Sequence, residues 1–171
     1  FRDEHEALIS VAQVHEAVAL ARPGDIIVER RNWYLSNVGL PGFWPHAALF
    51  LGTAAELAAH FDDDHDIRAA YSDGFTATLR RSHPAAWAEY TSADAAAHAR
   101  RIIEAVSEGV VFATVEHSLC ADYIACMRPL RPKIEAARAI ERAFGYAGRP
   151  YDFDFDFHTD SALVCSELVY K

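Results

Sequence analysis

The sequence predicts an α+β fold, a small antiparallel sheet packed with helices, and three observations carry that prediction. Short strand-like runs recur with turn residues between them: IIVER, HAALFLG, RIIEAV, GVVFATV and ADYIACM. Stretches at helical period flank and interrupt those runs, in the order α, β, β, helical stretch, β, β, β, α, β-like, α. At 171 residues, 51% of them hydrophobic, the chain is long enough for one domain with a real core.

Taken in order, residues 3–20 place Leu8, Val11, Val14 and Val18 at helical spacing behind an acidic first turn. RPGD (22–25) breaks that helix, and IIVER (26–30) is a strand. Residues 31–45 form a loop rich in Gly, Pro and aromatics, and HAALFLG (46–52) is the second strand. Residues 53–100 are expected to be a helical insertion with pieces AAELAAHF, FTATLRRSH, PAAWAEY and AAAHARR. The run DDDHD reads as a solvated acidic loop within it. Two strands turn around Ser107-Glu108-Gly109, and ADYIACMRPL (121–130) is another strand. PKIEAARAIERAFGYAG (132–148), with proline early and glycine after the end, is the clearest helix. RPYDFDFDFHTD then alternates before Cys165 opens a last helix.

The totals narrow the function. There are 25 acidic against 16 basic residues, a net charge of -9, which excludes nucleic acid as the main partner because phosphate binding needs a basic surface. Three cysteines (Cys120, Cys126, Cys165) make no disulfide framework, although a Cys120–Cys126 bridge stays open. No apolar run reaches the roughly 18 to 20 residues of a membrane span. The chain opens on Phe1 without an initiator Met and is expected to be a trimmed stretch of a longer protein. A soluble protein of cytoplasm or periplasm fits the composition, and oligomeric state is left open.

A cysteine at a helix start can be held as thiolate by the helix and a nearby imidazole. Cys165 follows the loop residues Asp160-Ser161 and the apolar Ala162-Leu163-Val164, so on position alone packing outweighs catalysis. Nine histidines compete for the role of base. His46 starts a strand directly after the aromatic loop, where it faces either a cleft or solvent. His158 lies close in sequence, but the chain must turn between it and Cys165. His60 and His65 flank the acidic run with spacing that matches no zinc pattern. Glu104 interrupts the apolar run Ile102-Ile103…Ala105-Val106, as an edge charge or as the carboxylate that orients an imidazole. DFDFDF starts like a calcium loop, but Phe157 stands where glycine is needed and Leu163 where glutamate is needed. No metal and no cofactor is expected. Trp33, Tyr34, Phe43 and Trp44 either pack the loop down or wall a cleft for an apolar or acyl group.

Four islands, PGDIIVERR, WPHAALFLG, IIEAVSEGVV and GRPYDF…ALVCSELVY, spread over residues 23–171, together resemble the permuted papain-like cysteine amidases of the YiiX type. Those are relatives of the NlpC-type cell-wall peptidases and of lecithin retinol acyltransferase. The resemblance implies a circularly permuted papain-like fold in which the cysteine helix comes last. It implies Cys165 as nucleophile, His46 as general base, Glu104 as the residue that orients His46, and the Cys165 N–H as an oxyanion donor. Asp25 of the PGD turn is assigned to turn structure. The function implied is hydrolysis of an amide bond, in a peptide or cell-wall substrate, through an acyl-enzyme. The alternatives are acyl transfer on a lipid substrate and a binding domain without catalysis. Residues 53–100 lie outside the islands, and their role, a cap over the cleft among the choices, stays open.

Overall fold

The computed structural model describes residues 7–32, 42–153 and 161–171. The expectations for Trp33, Tyr34, His158 and most of DFDFDF lie outside those residues.

The first helix, α1 (Val11–Val18), is shorter than its periodicity predicts. Ser10 decides where it starts: its hydroxyl accepts from Gln13 N–H, and the Gln13 side chain returns to Ser10 N–H. Val14 and Val18 are buried, whereas Leu8 and Val11 are exposed. Leu8 N–H is instead bonded to the Asp122 carboxylate.

The strands are β1 (Ile26–Arg30), β2 (His46–Phe50), β3 (Arg100–Val106), β4 (Gly109–Thr114) and β5 (Tyr123–Met127). They form one sheet in the order β4-β3-β2-β1-β5, and every pair is antiparallel. Alternation sends Ile27, Ala48, Phe50 and Ile102 to one face, where α1 covers them with Val14 and Val18. Leu49, Ile103, Ala105 and Phe112 point to the other face, into the larger core.

Residues 53–100 are helical as expected, with α2 (Ala54–Phe61), α3 (His65–Ala70), α4 (Phe75–Ser82) and α5 (Pro84–Thr91). Two details differ. The acidic run contains a helix start, because the Asp64 carboxylate accepts the N–H groups of Asp66 and Ile67. AAAHARR is no helix: Asp94 captures the N–H groups of Ala96 and His98, Ala97 sits at φ 66, and β3 begins at Arg100. Leu57, Phe61, Ile67, Phe75, Leu79 and Tyr90 spend their apolar surface in the larger core, against Phe112 and Phe144.

Between β4 and β5 lies a short helix the periodicity did not reveal, α6 (Val115–Ser118), capped by Thr114. Then follow α7 (Lys133–Tyr146) and α8 (Cys165–Tyr170). The chain after α7 is tied to the sheet by Val110 N–H to the Arg149 carbonyl and Gly148 N–H to the Val110 carbonyl. Gly109 makes that approach possible: its φ is +115, and a Cβ there would stand 2.4 Å from the Arg149 carbonyl oxygen. Tyr151 then bridges Leu163 in parallel, which delivers the start of α8 to the sheet.

All three cysteines are free, so Cys120 and Cys126 do not form the bridge the sequence left open. Among the described residues no helix is long and apolar enough to cross a membrane.

Candidate active site

Leu163 and Val164 are buried and extended, and at Cys165 the chain turns into α8 with Val164 at the N-cap position. The thiol is therefore held by backbone, at a helix start, with only 5% of the residue exposed. The backbone N–H groups of Ala47 and Ser166 point at the sulfur, and the Pro45 carbonyl lies 3.7 Å away as acceptor for the thiol form. Since Pro45 and Ala47 both touch the sulfur, the residue between them is brought to it as well.

That residue is His46. Its Nε2 lies 2.7 Å from Oε2 of Glu104, and its ring also hydrogen-bonds the Cys165 sulfur. With Nε2 engaged by the carboxylate, Nδ1 is the nitrogen left for sulfur. The His46 side chain keeps 19% of its surface open, so the pair is reachable from solvent, while Glu104 behind it is buried.

The electrostatics follow from these contacts. Burial by itself would lower the His46 pKa. The hydrogen bonds to Cys165 and Glu104, with the charges of Glu104 and Glu29, outweigh burial and raise it far above the ordinary imidazole range. Burial likewise opposes ionisation of Cys165, but the His46 hydrogen bond and charge and the N–H groups of Ala47 and Ser166 bring that thiol below its usual value. For Glu104, burial raises the pKa; His46, the Ser118 hydroxyl and the Arg31 charge overcome it and lower the pKa. These shifts all act in one direction, favouring a thiolate beside an imidazolium with a carboxylate behind.

Cys165, His46 and Glu104, singled out from the sequence, thus meet at one point. Asp25 does not join them. It accepts Arg22 N–H and a two-point contact from Arg128, as befits a turn residue. Gly24 beside it has φ +94, and a Cβ there would meet the Ala136 side chain at 2.8 Å. His60 lies in the last turn of α2 and His65 opens α3, and no group of three His, Cys, Asp or Glu among the described residues is arranged to hold a metal.

The sequence reading missed Glu29 and Arg31. Glu29 is only 4% exposed and stands opposite His46 in the β1–β2 ladder. Arg31 Nε lies 3.3 Å from Glu29 Oε1, and its Nη2 donates to the Ser118 carbonyl at the end of α6. A weak signal was present, because Glu29 ends the apolar run Ile26-Ile27-Val28 at a position that alternation puts on the same face as Ile27.

The family described as permuted papain-like amidase enzyme, YaeF/YiiX, C92 family, matches residues 20–171. No curated protein and no solved structure matches the chain.

Proposed function

The chain belongs to the permuted papain-like amidase family of cysteine hydrolases, and from that premise we propose that Cys165, His46 and Glu104 are its catalytic triad. The observation that carries the proposal is the division of the His46 ring, Nε2 on Glu104 and the other nitrogen toward sulfur. An imidazole so divided has a fixed orientation and a proton aimed at the reaction.

In this reading the Cys165 thiolate adds to the carbonyl carbon of an amide. The oxyanion forms beside the first N–H groups of α8, which have no intrahelical acceptor. The His46 imidazolium gives its proton to the amine nitrogen, the C–N bond breaks, and a thioester to Cys165 remains. Neutral His46 then takes a proton from water. The resulting hydroxide adds to the thioester, the C–S bond breaks, and a carboxylic acid leaves while thiolate and imidazolium are restored. Residues 1–171 are read as one permuted papain-like unit, in which the helices of 53–100 belong to the core that supports α8.

The substrate proposed is an amide in a peptide or a peptidoglycan stem. A second reading, an acyl-lipid donor, is favoured by the aromatics before His46. Phe43 and Trp44 stay half exposed and stack edge-to-face, and Phe43 also meets exposed Tyr123. The test is a screen of peptide amides, peptidoglycan stem peptides and acyl-lipid esters with the wild type and Cys165→Ala. Amide turnover lost in the variant supports the proposal. Turnover that survives the substitution overturns the triad, and exclusive turnover of lipid esters overturns the amide substrate.

A further inference from the structure

Glu29 is a buried carboxylate for which hydrolysis as written has no use. Its Cα partner across the β1–β2 ladder is His46, and antiparallel partners project from the same face. Glu104 reaches that face from the other side, since it is paired with Ala48. His46 therefore lies between two buried carboxylates, one on each neighbouring strand. Glu29 Oε1 is held by Arg31, whereas Glu29 Oε2 is buried with no hydrogen-bond partner among the described residues. A bare carboxylate oxygen is costly to bury, and the cation nearest in the ladder is the His46 ring.

We propose that Glu29 is a positioning residue of the active site: set opposite His46 and anchored by Arg31, it supplies a second negative charge that keeps the imidazole protonated until the leaving group takes the proton. The inference rests on His46 acting as the acid and base of the proposed reaction. The groups that face His46 among the described residues are Cys165 from α8, Glu104 from β3 and Glu29 from β1. Those around Glu29 are His46, Arg31 and Glu104, and the Tyr151 phenol responds to the charge on Cys165. Burial pushes Glu29 up to about 7, against the pull of His46 and Arg31, with Glu104 adding to the rise. Glu29 is thus ionised throughout the alkaline range in which His46 loses its proton, and its charge acts there.

The experiment follows the ring nitrogens of His46 by NMR through a pH titration of free enzyme labelled with nitrogen-15, the signals being assigned by their loss in His46→Ala. Glu29→Gln keeps the side-chain size and removes the charge; the His46 midpoint is expected to fall by about 1 unit. Glu29→Asp keeps the charge and is expected to leave the midpoint nearer the wild type than Gln does. Where Glu29→Gln does not fold, Glu29→Met is the neutral variant of matching length. An unmoved midpoint in the neutral variant, or an equal fall in Asp and Gln, overturns the proposal. A merely structural Glu29–Arg31 pair would change the melting temperature and leave the His46 titration in place. Because no substrate is needed, this result stands apart from the turnover test of the triad.

Discussion

His46 meets Glu104 on a diagonal: Glu104 is the ladder partner of Ala48, two residues further along β2, yet its Oε2 lies 2.7 Å from His46 Nε2. Diagonal neighbours on one sheet face are within reach of long side chains. The diagonal suits this pair, because it draws the ring along the sheet and leaves its second nitrogen for Cys165 at the mouth of α8.

Removing the sulfur tests the nucleophile. Cys165→Ala is expected to reduce turnover by at least ~1000-fold while thermal unfolding stays close to wild type, since only the sulfur is lost. His46→Ala is expected to abolish turnover as well, and also to destabilise the fold by about 1–3 kcal/mol, because Glu104 is left buried without its partner. Differential scanning calorimetry at pH 5 and pH 8 checks this.

The two shifted cysteines allow an internal comparison by alkylation. The Cys165 pKa is lowered, whereas burial and the Asp25 carboxylate raise that of Cys126. Iodoacetamide at pH 6 to 7, followed by peptide mass mapping, is expected to label Cys165 well ahead of Cys126. Equal labelling, with both rates rising only near the ordinary thiol pKa of about 8.5, would remove the case for an activated thiolate.

Glu104→Gln keeps the shape and removes the charge behind His46. The alkaline limb of the pH–rate profile should move to lower pH, because the imidazolium loses its hydrogen-bonded anion, and kcat should fall about 10- to 100-fold. Stability follows from the same linkage. The Glu104 pKa is depressed, so its contribution is present above its unfolded value, about 4.3, and is lost as pH falls through the folded value. The His46 pKa is raised, so its contribution is complete below about 6.5 and is lost as pH rises through the folded value. Urea unfolding should therefore separate wild type from variant most widely between about pH 4.3 and 6.5. A difference that keeps growing above pH 7 would contradict the assignment.

Asp25 should behave as a structural residue. Asp25→Ala removes the acceptor for Arg22 N–H and both contacts to Arg128, and is expected to cost about 2 kcal/mol of stability. At a temperature where the variant stays folded, its kcat should match wild type, and a fall of tenfold or more would give Asp25 a part in the chemistry.

Much of this molecule was legible in the chain itself, wherever the deciding interaction is local. The strand runs are visible because alternation repeats within a few residues, and α7 because Pro132 and Gly148 bound it. Cys165, His46 and Glu104 were marked by the resemblance that the four islands carry together, whereas Cys165 on its position alone read as packing. Local readings failed where a side chain competed for backbone: Ser10 cuts α1 short, Asp64 starts a helix inside an acidic run, and Asp94 prevents one. The sequence by itself thus determined most of the order of the elements and the three residues proposed to react. Only the tertiary structure decided that Glu29 stands opposite His46, that the helices of 53–100 contribute to the larger core, and which way the His46 ring divides. Those outcomes depend on strand register and on packing between segments far apart in the chain, such as the 58 residues separating His46 from Glu104. Periodicity records which face a residue prefers, but the residue it meets there is chosen by the pairing of strands.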